Sequence, residues 1–113
     1  MLKVPGFLLR RLYVRGSLRN TPGGFEFHLY NNLGSGYAKR LLPLEVDGKA
    51  LPLEEAFFTV DGRTTSFAQV SEGKTTTVSV SGVYLPPGLH TVKMAFEVQG
   101  LGVLEFDFTD EVT

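Results

Sequence analysis

The sequence predicts an all-β fold: a single antiparallel β-sandwich, immunoglobulin-like, of about eight or nine short strands, with one domain over residues 1–113. Three features carry this. Apolar and polar residues alternate in short runs, turn signals recur roughly every 8–12 residues, and no stretch keeps helical periodicity over about ten residues. The clearest run begins at Val92. Val92, Met94, Phe96 and Val98 share one face, and Thr91, Lys93, Ala95, Glu97 and Gln99 the other. After Gly100-Leu101-Gly102 the alternation resumes, with Leu104, Phe106 and Phe108 against Glu105, Asp107 and Thr109. That is a hairpin with one buried face.

Keeping both apolar sets on one face allows the pairs Val98–Leu104, Phe96–Phe106 and Met94–Phe108, around a loop from Gly100 to a left-handed Gly102. This register sets Glu97 opposite Glu105, an unfavourable like-charge pair, so something basic is expected alongside. Arg11-Leu12-Tyr13-Val14-Arg15 has the alternation to supply it, and the first strand is therefore expected beside the last. The hairpin is introduced by Tyr84-Leu85-Pro86-Pro87-Gly88-Leu89-His90. Pro87-Gly88 suits the centre of a type II turn. The departure through Pro86-Pro87 has the character of a crossing between sheets, which favours a sandwich over a closed barrel.

In chain order, residues 1–6 read as a lead-in. Residues 7–15 are the first strand candidate, with a short helix as the alternative because Phe7-Leu8-Leu9 breaks the alternation. Thr21-Pro22-Gly23-Gly24 is a turn, and Phe25, Phe27 and Leu29 then alternate with Glu26, His28 and Tyr30 in a half-buried strand. Residues 31–36 form a loop of residues that tolerate left-handed backbone. The strand over 42–46 ends at Asp47-Gly48, the preferred pair for a type I′ hairpin, so that Val46 faces Lys49 and Leu44 faces Leu51. Pro43 and Pro52 place that hairpin at a sheet edge or make it very short. Residues 57–60 are a strand followed by a second Asp-Gly turn, Asp61-Gly62. A single helical turn is expected only within 51–58. Residues 66–70 suit a short strand, 71–74 a turn, and the Val78–Val80 alternation with threonines and serines another strand.

Composition narrows the function classes. With 42% hydrophobic residues the chain can build a core unaided, and with no cysteine it has neither disulfides nor thiolate metal ligands. A net charge of −1 supplies no general field for nucleic acid or an anionic membrane, so neither is expected as a partner. Phe7-Leu8-Leu9 is too short for a signal-peptide core and is followed by Arg10-Arg11, and no segment has the apolar length of a membrane span. The expected location is cytoplasmic.

The residues show no convincing catalytic constellation. His28 and His90 lack metal-ligand spacing, and His90 reads chiefly as a corner residue whose ring bonds a nearby carbonyl. Gly34-Ser35-Gly36 is not a nucleophile elbow. Thr21-Pro22-Gly23-Gly24 lacks the strand–loop–helix setting of a phosphate cradle. Asp47 and Asp61 are turn residues, since Gly follows each. No catalytic or metal-binding residue is assigned. Arg11, Tyr13 and Arg15 would share one strand face as a basic patch, either paired across strands with Glu97, Glu105 or Asp107 or facing a partner. Arg19 and Asn20 with Tyr30, Asn31 and Asn32 form a second polar–aromatic grouping that could meet at one end of the sandwich, either as a loop network or as a contact surface.

Several segments together resemble the β subunit of the C-glycoside deglycosidase family. They are Ser17-Leu18-Arg19-Asn20, Gly24-Phe25-Glu26-Phe27 ending in Tyr30, Val46-Asp47-Gly48, Val60-Asp61-Gly62-Arg63 and Pro87-Gly88-Leu89-His90-Thr91-Val92, in the family's order. The chain departs from the pattern at Asn31-Asn32-Leu33 and after Phe67. The resemblance implies a non-catalytic accessory subunit that stabilises or completes the active site of a larger, sugar-isomerase-like barrel. That partner would carry the divalent metal and the catalytic residues for C-glycoside cleavage, and this chain no cofactor. Arg19, Asn20, Tyr30, Asn31, Asn32 and His90 are the expected partner or substrate contacts. The alternative is a stand-alone sandwich that self-associates or binds a carbohydrate or other ligand.

Overall fold

A computed structural model describes residues 5–51, 56–60, 63–65, 68–70 and 72–113, with the backbone alone over 56–58, 60, 63–65 and 68–70. A helical turn, α1 (Gly6–Leu9), runs into a 3-10 turn (Arg10–Leu12). Strands then follow as β1 (Arg19–Thr21), β2 (Gly24–Tyr30), β3 (Gly36–Leu41), β4 (Glu45–Val46), β5 (Lys49–Ala50), β6 (Ala56–Val60), β7 (Arg63–Thr65), β8 (Ala68–Val70), β9 (Thr75–Ser81), β10 (Gly88–Val98) and β11 (Gly102–Val112). They make two antiparallel sheets, β1-β2-β9-β6-β7 and β5-β4-β10-β3-β8, with β11 on the other side of β10. The chain is an all-β sandwich.

Alternation places the core. Phe25, Phe27 and Leu29 of β2 with Val78 and Val80 of β9 point inward from one sheet, and Val92, Met94, Phe96, Leu104, Phe106 and Phe108 from the other. The chain crosses between the sheets from β9 to β10, as the proline pair suggests. There is no hydrogen-bonded turn at that corner, only a bend at Pro87 with Gly88 at φ 123° opening β10. Tyr84 Oη donates to the Pro22 carbonyl (2.7 Å), and Asn20 bonds Leu85 through both its amide oxygen and nitrogen (2.8 Å each), which ties the crossing to the β1–β2 turn. Gly24 lies against β9 so closely that a Cβ there would run into the Val80 carbonyl.

Asp47 (φ 52°) and Gly48 (φ 84°) both occupy the left-handed region, and Val46 pairs with Lys49. The type I′ hairpin thus forms, with β5 at the sheet edge. β3 and β4 pair in succession with the same side of β10, interrupted around Pro43, which has no N–H to give. Val60 pairs with Arg63 around the expected Asp61-Gly62 turn; residues 61–62, 66–67 and 71, and the part of the expected helical turn over 52–55, lie outside the described residues. Where that turn was expected to continue, β6 is extended.

Two expectations are corrected. Residues 6–12 are helical, so no first strand pairs with β11. The segment still packs beside it: Arg10 Nη2 meets Asp107 Oδ1 (2.9 Å) and Arg10 Nε donates to the Asp107 carbonyl (2.7 Å). The hairpin register also differs by two residues, pairing Val98 with Gly102, Phe96 with Leu104 and Met94 with Phe106. A two-residue step keeps every side chain on its face, so apolar patterning cannot distinguish the two registers. Charge can. The observed pairing sets Glu97 against Val103 and Glu105 against Ala95. Glu97 takes its cations from β3, Arg40 Nε at 2.7 Å and Lys39 Nζ at 3.7 Å, while Glu105 meets Lys93 Nζ at 2.9 Å. Arg40 chiefly, then Lys39, hold the Glu97 carboxyl below its ordinary value, and the Glu105 contact raises Lys93.

Candidate functional site

The sandwich has two ends. At the crossing end lie the β1–β2 turn, the β4–β5 hairpin and Gly88; at the loop end lie Tyr30, the 31–35 loop and the β10–β11 turn. This divides the polar residues singled out in the sequence. Arg19 and Asn20 pair with Glu26 and Phe25, whereas Tyr30 is five strand positions beyond Phe25, roughly 17 Å along β2. Arg19 and Asn20 therefore do not meet Tyr30, Asn31 and Asn32.

At the crossing end His90 is only 8% exposed. Its Nδ1 lies 2.7 Å from Asp47 Oδ2 and its Nε2 lies 2.6 Å from the Pro86 carbonyl. Both partners are acceptors, so only the protonated ring satisfies both. The bond to Asp47 first, then that to Pro86, raises the His90 pKa above its ordinary value. Asp47 Oδ1 also accepts the Thr91 amide (2.9 Å), and this bond, with His90 next, lowers the Asp47 pKa. His90 is a clamp across three segments. It is buried and bonds a nearby carbonyl, as its reading as a corner residue has it, whereas the resemblance placed it among the contacts.

On the outer face of β2, Glu26 Oε2 accepts Arg19 Nη2 (3.0 Å) and lies 3.0 Å from His28 Nε2. Burial raises the Glu26 carboxyl, but the bonds from His28 and Arg19 outweigh it and leave the pKa below its ordinary value.

Tyr13 does not share an outward face with Arg11 and Arg15, because the 3-10 turn breaks the strand alternation. Its ring stacks on Phe108 with centroids 3.7 Å apart. Its Oη donates to Asp110 Oδ2 (2.7 Å) and accepts the Leu18 amide (3.1 Å), while Asp110 Oδ2 also accepts the Gly16 amide (2.7 Å). Burial first, then the bond to Asp110, pushes the Tyr13 phenol up to about 12. Burial also raises Asp110, but hydrogen bonds from Tyr13 and from the Gly16 and Glu111 amides leave it below the usual carboxylate range. Arg11 and Arg15 are exposed, and Arg15 acts on this node through its charge, adding to the lowering of Asp110.

At the loop end Asn31, read as either a loop-network or a contact residue, is only 4% exposed. Its Oδ1 accepts the Leu33 and Gly34 amides (3.1 and 3.2 Å) and its Nδ2 donates to the Gly34 carbonyl (2.7 Å), shaping the loop from within. Asn32 is exposed and donates to the Arg11 carbonyl (3.2 Å), and Tyr30 is 44% exposed. Behind this loop, between the sheets, is a cavity of about 350 Å³. Leu9, Leu12, Leu29, Phe96, Val98 and Leu104 supply much of its wall, and Leu33 and Leu101, 44% and 42% exposed, its rim. The cavity did not follow from patterning because it is assembled from four separate stretches of the chain, over 9–12, 29–38, 76 and 96–104. One signal was present in the sequence: Leu33 and Leu101 stand in glycine-rich turns, where turn chemistry asks for polar residues.

Among the described residues no group of three or more His, Cys, Asp or Glu could hold a metal ion, and no helix is long and apolar enough to cross a membrane.

Residues 8–113 match the family described as hydroxymethylglutaryl-CoA reductase, N-terminal domain. No curated protein matches the chain. The family match overturns the resemblance to C-glycoside deglycosidase β subunits, and with it the accessory role beside a sugar-isomerase-like barrel; the stand-alone alternative gains no support either. The motifs behind that resemblance have structural work of general kind: Asp47-Gly48 makes a hairpin turn, Asn20 ties a crossing and His90 clamps a corner. Any sandwich needing those devices can use those residues. The family description is of a domain, hence of part of a larger protein.

Proposed function

The chain belongs to the hydroxymethylglutaryl-CoA reductase N-terminal domain family, and from that premise we propose that it serves such a reductase as a non-catalytic structural module. The match over residues 8–113 carries the reading. The geometry supports the non-catalytic part. General acid–base chemistry needs a titratable group within reach of a bound substrate. Among the described residues the cavity wall has no titratable side chain. His90, Asp47, Glu26 and Asp110 are each engaged in bonds that hold segments of this chain together.

The proposed partner is the catalytic portion of the reductase, met through the exposed surface. The test compares that portion with and without the 113-residue chain. Expected are co-elution on size exclusion, a higher melting temperature for the complex, and no reduction of hydroxymethylglutaryl-CoA by the chain alone. Turnover by the isolated chain, or no association at tens of micromolar protein, would overturn the proposal.

A further inference from the structure

The loop-end cavity is a feature that structural packing alone does not explain. Protein interiors seldom hold voids much larger than a water molecule, because wall atoms facing empty space lose their dispersion contacts. Here about 350 Å³ stands open beside buried Leu9, Leu12 and Leu29. The wall is chiefly apolar, with Asn31, Ser35 and Thr76 its polar side chains, and apolar cavities take up apolar ligands.

The wall also indicates which chemistry fits. Among the described residues no buried side-chain nitrogen or oxygen lacks a partner, and the Asn31 amide is committed to its own turn. A hydroxyl-rich ligand would surrender its bonds to water and find few replacements. A hydrocarbon loses nothing on entering. An apolar cavity of about 150 Å³ takes up benzene, six carbons, so about 350 Å³ holds on the order of ten to fourteen carbons. The exposed Leu33 and Leu101 extend the apolar surface to the mouth, where the polar end of an amphiphile would remain in water.

We propose that this cavity is a binding site for an aliphatic chain of about ten carbons, entered between Leu33 and Leu101. The site does not depend on the role proposed above for the domain. The probe is 1-decanol, titrated into the chain while its methyl resonances are followed by NMR. Saturable shifts are expected at Leu29, Ala38, Val98 and Leu104. Decane-1,10-diol, which must bury one of its two hydroxyls, should bind at least fivefold more weakly. In Gly36→Leu the new side chain starts 3.4 Å from Val98 Cγ1, enters the cavity and should abolish the shifts. The diol comparison needs no variant and decides the matter if Gly36→Leu does not fold. Absence of saturable shifts, equal affinity for the diol, or undiminished binding by a folded Gly36→Leu would each overturn the proposal.

Discussion

The Tyr13 hydroxyl joins the N-terminal segment to the last strand, a polar contact distinct from the Arg10–Asp107 pair beside it. Tyr13→Phe keeps the ring and its stack on Phe108. It loses the bond donated to Asp110 and leaves the Leu18 amide without its acceptor. A hydrogen bond to a charged group contributes about 1.5–3 kcal/mol, and an unpaired buried donor costs about 1–3 kcal/mol. Water reaches the half-buried node and Asp110 keeps its backbone donors, so the expected loss is at the lower end, about 2 kcal/mol. For a chain of this length that lowers the melting temperature by roughly 8 °C. A pH signature accompanies it. The folded phenol titrates at about 12, above its ordinary 10.0. Its contribution is therefore complete below pH 10 and is lost as pH rises towards 12. Urea midpoints from pH 8 to 11.5 should fall more steeply for the native chain than for Tyr13→Phe. A melting shift below about 2 °C with parallel alkaline limbs would refute the assigned hydrogen bonds.

Other expectations follow from single contacts. The raised His90 pKa means its clamp stabilises the fold fully below about pH 6.5 and is lost as pH rises through the folded value. The urea midpoint should therefore decline from pH 6 to 8.5 in the native chain and flatten in His90→Gln; equal slopes would exclude a protonated clamp. Gly24→Ala drives a Cβ into the Val80 carbonyl and should cost about 3 kcal/mol or more, seen as loss of dispersed amide resonances. Phe108 is nearly buried between Tyr13 and Phe27, and Phe108→Ala should lose about 3–5 kcal/mol in chemical denaturation.

The β-sandwich itself could be read from the residues. Alternation at Phe25, Phe27 and Leu29 and along Val92, Met94, Phe96 and Val98 marks the core faces, because a strand's period of two is a local property of the backbone. Asp47-Gly48 specified its own turn for the same reason: two left-handed residues need no distant contact to be favoured. Even the corner role of His90 was legible, although its carboxylate partner lies 43 positions away and could not be named.

What needed the tertiary structure was every choice between locally equivalent states. The hairpin register turned on where charges from β3 and β10 would fall. Residues 6–12 became helical where alternation failed, and Leu9 and Leu12 point into the core from that turn. Asn31 went inside because its side chain could serve amides three residues on. The cavity depends on separate segments meeting at one end of the sandwich. Periodicity and turn chemistry act over a few residues and are written in the chain, whereas register, burial of a polar side chain and the shape of a void are set by neighbours that only folding brings together.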